Sequence, residues 1–319
     1  MMKAIAFTAT ERAELVDWPF DDSPPRADEI IGRSLVTLAS PGTELNYGYR
    51  AARTAPGLSG YAAVITVEAV GPDVKDIRPG QTVFCMGNHV SRHRTTRPQV
   101  VPVPAGLAAE VAVFCRLMGV SWTTLVTTTA RPPDSVVVTG LGPVGNLAAQ
   151  IFQAAGYAVT AVDPTASRRA LAKQAGLTDV QETMPAFEAA LAVECSGHEQ
   201  AVLDCCQHVR KRGEVVLVGV PWHKRCELSA FDLLHAVFHR YVVLRSGWEW
   251  EVPHQPREFT TGSINGNLTG ALTWLGQGRV RVDGLYQRIQ PADAQSAWQD
   301  LLHQRGEFLT VVFDWGTVQ

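Results

Sequence analysis

The stretch Ser135–Asp163, SVVVTGLGPVGNLAAQIFQAAGYAVTAVD, constrains the fold of this chain more than any other. Val136, Val137 and Val138 make a short apolar, β-branched run, the composition of a strand buried on both faces. Gly140, Gly142 and Gly145 follow in G-x-G-x-x-G spacing. The first permits a tight turn, the second lets backbone approach a pyrophosphate, and the third lets a helix pack close to the strand. A helix opening at Pro143 and Val144 aims its first amides and its positive dipole end at such a phosphate. Tyr157 to Val162 then reads as a second strand, with Asp163 at its end. A carboxylate there accepts the ribose hydroxyls of an adenosine and repels a 2′-phosphate. Strand, glycine turn, helix, strand and acid predict a dinucleotide site that prefers NAD(H) to NADP(H). Arg168 and Arg169 pull the other way, because a guanidinium just past the second strand can hold a 2′-phosphate.

At 319 residues the chain exceeds one typical core, so two domains are expected. A net charge of −3 gives no support to a nucleic-acid or membrane-surface partner. No apolar run is read as reaching transmembrane length, and the opening MMKAIAFTATERAELVDW lacks the apolar core of a secretory signal. The expectation is a cytoplasmic protein with a small-molecule substrate. The six cysteines, Cys85, Cys115, Cys195, Cys205, Cys206 and Cys226, form no C-x-x-C pair. They read as small hydrophobes in a reducing compartment, neither a disulfide frame nor a metal cage.

Before the glycine turn, short alternating runs punctuated by Gly and Pro predict an all-β unit built as a partly open barrel. The runs are KAIAFTA, AELVDW, Glu29 to Leu38, YAAVITVEAVG and TVFC, with the break SPGTELNYGYR among them. Leu107 to Thr129 is helical in pattern. From Ser135, strands alternate with helices through EVVLVGV and YVVLRSG, which predicts a parallel doubly wound sheet. The tail carries two helical patterns, NLTGALTWLGQG and ADAQSAWQDLLHQ, and the closing strand FLTVVFDW. A tail of this kind is expected to return to the β unit, with ligand held in the cleft between domains.

In this order the chain resembles the medium-chain dehydrogenase/reductase superfamily over nearly its whole length. The carrying residues are GLGPVG with Asp163, the VGVP of Val218 to Pro221, the turn and strand Pro79 to Phe84, and the closing VVFDW. The resemblance implies an α/β protein: a GroES-like β domain, a Rossmann doubly wound parallel sheet, and a C-terminal segment returning to the β domain. The implied division is 1–118, 119–258 and 259–319. Val218, Gly219 and Val220 join Gly140, Gly142, Pro143, Val144, Gly145, Asp163 and Arg168 as cofactor contacts. The resemblance also implies a homodimer, often built by edge pairing of Rossmann sheets, and hydride transfer between NAD(P) and an alcohol, ketone, aldehyde or activated alkene.

The departures from that family set the chemistry. Zinc-dependent members carry a Cys in a C-G-T-D-like motif, then G-H-E, then a third Cys or acid. Here the first motif reads Pro41-Gly42-Thr43-Glu44 and the second Gly57-Leu58-Ser59, while the third slot falls near Met118 with Cys115 close by. The four-cysteine structural loop is missing. Pro and Leu supply no ligand to zinc. Cys85, His89 and His93 share a face of an extended strand, but that span covers roughly 26 Å, too far for one tetrahedral ion. A zinc-independent enzyme is therefore expected.

Without a metal, a side chain must donate a proton or hydrogen bonds to the reacting oxygen. Thr43 holds the position of a family proton-relay hydroxyl or is a turn residue. Glu44 is a base or pairs with a neighbour such as Arg50. Tyr47 is a proton donor or a packing residue, and His89 exchanges a proton or is structural. Trp248 and Trp250 wall the substrate pocket or pack at an interface. Arg92, Arg94 and Arg97 lie in a stretch without acids, which admits an anionic or polyhydroxylated substrate or simply a solvated strand. The leading reading is a metal-free NAD-dependent dehydrogenase/reductase of a secondary alcohol or ketone. The alternatives are a quinone or enone reductase and a dinucleotide-binding sensor without turnover.

Overall fold

A computed structural model describes residues 1–318, and the chain forms two units. The first comprises Met1–Arg116, Leu268–Gly276 and the residues from Leu285 onward; the second comprises Leu117–Asn267 and Gln277–Gly284.

In the first unit the alternating N-terminal runs pair as an antiparallel hairpin, Met2–Ala9 with Arg12–Trp18, and the short strand Gly57–Leu58 adds to its other side. The larger sheet runs in the order Tyr286–Ile289, Thr310–Asp314, Glu29–Leu38, Ala63–Val70, Thr82–Cys85, Val100–Pro102. Arg92–Thr96 also pairs with Glu29–Leu38. The closing strand sets Val312 opposite Leu38, so the C-terminal segment completes this sheet as expected. A bridge between Ala4 and Val90 ties the hairpin to it. Aromatic residues from both ends of the chain fill the core: Phe7 meets Tyr49 at 5.4 Å and Trp298 at 5.3 Å, both edge-on, a favourable arrangement for ring quadrupoles.

The second unit is a six-stranded parallel sheet in the order Val180–Gln181, Ala158–Val162, Ser135–Thr139, Ala189–Glu194, Val209–Leu217, Val243–Ser246. Val136, Val137 and Val138 are fully buried, as an apolar run covered by helices on both faces requires. Ser135–Thr139 has its sequence successor on one side and Ala189–Glu194 on the other, so the strand order reverses there. Such a switch point leaves a crevice at the carboxyl ends of the strands.

Several expectations need correction. The boundaries differ from 118 and 258, because residues 259–267 and 277–284 are held by side-chain bonds that periodicity cannot reveal. Asn267 donates to Thr123 at 3.1 Å, and Gln150 bonds the backbone of Arg281 in both directions at 2.7 and 2.9 Å. The strands Val180–Gln181 and Tyr286–Ile289 were not foreseen. Cys85 to His93 is not one extended strand, since one strand ends at Cys85 and the next begins at Arg92, with only the isolated Val90 bridge to Ala4 between them. Finally, Ala109–Thr127 is long and apolar enough by length and composition to cross a membrane. Its apolar window is 67% buried within the protein, the signature of a core helix.

Candidate functional site

The parallel-sheet unit gathers the predicted nucleotide residues at the carboxyl ends of its interior strands. Gly140 has φ +81°, and a Cβ there would lie 2.7 Å from Ser196 backbone. At Gly145 a Cβ would lie 1.8 Å from the Gly140 carbonyl oxygen, so only glycine lets the helix Pro143–Ala154 start this close to the strand. Gly142 differs: a Cβ there would meet nothing within 4 Å. Its openness, together with a helix N-terminus lacking any side-chain cap, leaves amides free for a phosphate.

Asp163 is 1% exposed. One carboxylate oxygen accepts from the Leu141 amide at 2.7 Å, tying the second strand to the glycine turn, and the other accepts from Thr165 at 2.8 Å. Arg168 approaches the first oxygen at 3.5 Å. A carboxylate offers about four lone-pair positions, so one is left for a ribose hydroxyl. The adjacent loops close on each other: a Cβ at Gly219 would lie 2.3 Å from the Gly197 amide nitrogen. Beneath them sits Glu194, fully buried, which sequence reasoning missed. It accepts from the amides of Ser196 (2.7 Å) and Gly197 (3.0 Å) and from the Ser196 hydroxyl. Burial, only partly offset by these donors, holds its carboxyl above the usual range. Val218 is buried and Val220 half-exposed beside Gly219.

The β unit holds a second polar cluster, around the break after Leu38. Glu44 is buried and does not pair with Arg50, which faces Glu11 at 3.9 Å. Instead Glu44 accepts from the Ser40 amide at 2.7 Å and from the Ser59 hydroxyl, and contacts His89 Nε2 at 3.1 Å. His89 Nδ1 lies 2.8 Å from Thr37 Oγ1, which also receives Trp315 Nε1–H at 3.0 Å. The network assigns the protons: Trp315 donates to Thr37, Thr37 to Nδ1, and Nε2–H to Glu44. Every donor and acceptor in this chain is used, and His89 has no exposed surface. It braces Glu44.

Thr43 is half-buried and lies with three residues that the sequence reading did not single out. The Tyr61 hydroxyl donates to Ser40 Oγ and is 3.4 Å from Thr43 Oγ1, and the Arg116 guanidinium stands 4.7 Å from the Tyr61 ring centre. Burial raises the Tyr61 phenol above its ordinary value, against the lowering influence of Arg116. A signal existed: Gly60-Tyr61 repeats the glycine-plus-ligand-slot pattern three residues beyond the Gly57-Leu58 reading. Tyr47, by contrast, is 75% exposed. Trp248 and Trp250 are also mostly exposed, at 70% and 50%. The arginine stretch is spent inside its own unit: Arg92 pairs with Asp22, Arg94 with Glu29, and Arg97 with Asp76. The acids come from other segments, which a linear charge count does not show, so no free cationic strand supports an anionic substrate.

These residues do not fit a catalytic zinc. Pro41, Leu58 and Tyr61 offer neither thiolate nor imidazole. Burial pushes the Cys85 thiol up to about 12 and the Cys115 thiol well above its ordinary value. His93, lowered to about 4 by burial, bonds Ser34 at 2.9 Å.

Residues 143–251 match the family model described as zinc-binding dehydrogenase. The zinc-type alcohol dehydrogenase-like protein YphC of Escherichia coli is 29% identical over 163 residues, covering 47% of this chain and 46% of that one. The chain thus spans about half the length of the curated relatives it matches first. In fold it is similar to galactitol-1-phosphate dehydrogenase from Escherichia coli, with a TM-score of 0.82 and 18% identity over 98% of this chain and 100% of that one. It is also similar to acetophenone reductase from Geotrichum candidum in complex with NAD, at 0.81 and 16%, over 99% of this chain and 98% of that one. The fold is that of the medium-chain dehydrogenases, a GroES-like unit plus a Rossmann unit. The family model and the relatives support a place in that superfamily.

Proposed function

We propose that this chain is a metal-independent NAD(H)-dependent oxidoreductase that moves a hydride between the nicotinamide and a secondary alcohol or its ketone. The observation that carries the reading is the glycine turn. Gly140 and Gly145 are sterically obligatory, Gly142 is open, and Asp163 is bonded to the turn itself. Bound there, the cofactor would supply or accept the hydride. The Gly142, Val144 and Gly145 amides would hold the pyrophosphate and Asp163 the adenosine ribose. The buried Asp163 favours NAD(H), and its pairing with Arg168 uses the cation that would otherwise recruit a 2′-phosphate.

In place of a metal, the Tyr61 hydroxyl carries the proton, with Ser40 and Thr43 orienting it and Glu44, braced by His89, fixing Ser40. In reduction the carbonyl carbon gains the hydride and its oxygen takes the phenolic proton; oxidation reverses both transfers. A phenol raised above its ordinary value remains protonated at neutral pH, the form that can donate. The buried free thiols accord with a cytoplasmic setting, and the exposed apolar edge of the parallel sheet with a homodimer.

Stopped-flow oxidation of bound NADH by ketones, enones, quinones and sugars tests this, alongside fluorescence titrations with NADH and NADPH. Turnover with ketones is expected. Turnover with enones or quinones alone would transfer the chain to the C=C or quinone reductases, and tight binding with no oxidation by any would make it a sensor.

A further inference from the structure

Beside the loops at Gly197 and Gly219, two segments of the parallel-sheet unit bring together an imidazole, a carboxylate and a thiol. His198 and Glu199 stand at the start of the helix Glu199–His208, and Cys226 returns to them from the segment after Val220. His198 Nδ1 lies 3.9 Å from Glu199 Oε2, Cys226 Sγ lies 3.7 Å from the same oxygen, and the three ligand atoms are all within 4.8 Å of one another. This is the one such group of three among the described residues. Bonds of about 2.0 Å to N and O and 2.3 Å to S place tetrahedral ligand atoms about 3.3–3.7 Å apart. The cluster therefore needs only a small contraction to close on an ion.

We propose that His198, Glu199 and Cys226 form a divalent-metal site of the zinc class, with its fourth position open to water. A mixed N, O and S set selects zinc-like ions over magnesium or calcium, which take oxygen ligands. The surroundings arrange the carboxylate for this task. The Arg225 amide donates to Glu199 Oε1 at 2.9 Å, leaving Oε2 to face the histidine and the cysteine. Lys224 is turned to Glu227 at 2.6 Å. All three ligands are half-buried, within reach of an entering ion. Two existing bonds must yield: Gln200 N donates to His198 Nδ1 at 3.2 Å, a lone pair the ion would take, and the Cys226 thiol donates to Glu199 Oε2, a proton that would be released to solvent as the thiolate binds. Once bound, the ion would fasten the segment after Val220 to the start of this helix.

This site is separate from hydride transfer, and the test exploits that. Chelator-treated full-length protein is titrated with Co²⁺, read by the thiolate-to-cobalt charge-transfer band, and zinc content is measured on the protein as purified. Saturation at one equivalent per chain is expected. Cys226→Ser should abolish the band and the bound zinc while leaving NADH affinity and the rate of NADH oxidation unchanged. His198→Gln should weaken Co²⁺ by more than about tenfold, since even losing an outer partner of a ligand costs that much. A band that survives Cys226→Ser, or no thiolate band in the unsubstituted protein, overturns the proposal. Should Cys226→Ser fold poorly, Glu199→Gln gives the same reading: undiminished Co²⁺ affinity there overturns it, and a loss supports it. If removing the metal through Cys226→Ser abolished NADH oxidation, the ion would belong to the reaction and the separate-site proposal would fail.

Discussion

Tyr61 carries the sharpest residue-level consequence. Replacing it with Phe keeps the ring beneath Arg116 and removes only the proton, so NADH affinity should stay constant while kcat for ketone reduction falls by about 10²–10⁴. Rapid-quench kinetics beside a fluorescence titration separate the two; an unchanged kcat would remove Tyr61 from the chemistry. Because burial raises this phenol, reduction should stay level through neutral pH and fall only above the ordinary phenol range. His93 makes a different, structural prediction. Its folded imidazole stays neutral down to about 4, whereas the unfolded one protonates near 6.5. Between those values the unfolded chain binds the extra proton, so stability falls as the pH falls from 6.5 to 4. The full shift corresponds to about 3 kcal/mol. Urea midpoints should drop across that window in the wild type and less steeply in His93→Gln; identical slopes would mean that His93 is not the titrating group.

At the scale of the element, the glycine turn separates folding from binding. Gly145→Ala forces a Cβ onto the Gly140 carbonyl and should cost about 2–4 kcal/mol, lowering the melting temperature whether or not nucleotide is present. Gly142→Ala adds a methyl to open space, so its stability cost should be below about 1 kcal/mol, while NADH affinity drops because that space is where the pyrophosphate approaches. Melting curves with and without NADH distinguish the two, and equal effects would contradict the assignment of roles. The turn was legible in the sequence because its information is local: a glycine spacing, a strand before it, a helix and an acid after it. The β-unit cluster was legible only in part, because it is assembled across long separations. Thr37, Ser40, Glu44, Ser59, Tyr61, His89 and Trp315 come from different strands and loops, and no periodicity announces that His89 braces Glu44. Thr43 and Glu44 were found from motif position. Tyr61 stands three residues beyond the Gly57-Leu58 reading of the second motif, and Tyr47 was named because a tyrosine hydroxyl is a common metal-free proton donor.

For the whole molecule, the parallel sheet ends in a strand with one unpaired edge, Val243–Ser246. Unpaired edges must be covered, charged or paired. The charge on this one is spent in pairs, Arg245 with Glu214 and Glu251, while the preceding helix, Ala230–Arg240, exposes Phe231, Leu234 and Phe238 at helical spacing, and Tyr241 and Val243 are exposed after it. A contiguous apolar surface joined to an open sheet edge is suited to a self-complementary, two-fold contact, in which each copy offers the same helix and strand. The wild type should therefore sediment as a dimer at micromolar concentration. Leu234→Asp with Phe238→Asp places two charges on positions that are already exposed in the single chain, so each protomer should remain folded while association weakens by at least about 3 kcal/mol. Sedimentation velocity on the double variant should then show monomers with undiminished NADH affinity. A dimer that survives both charges would locate any self-association elsewhere on the chain and leave this apolar surface without a role.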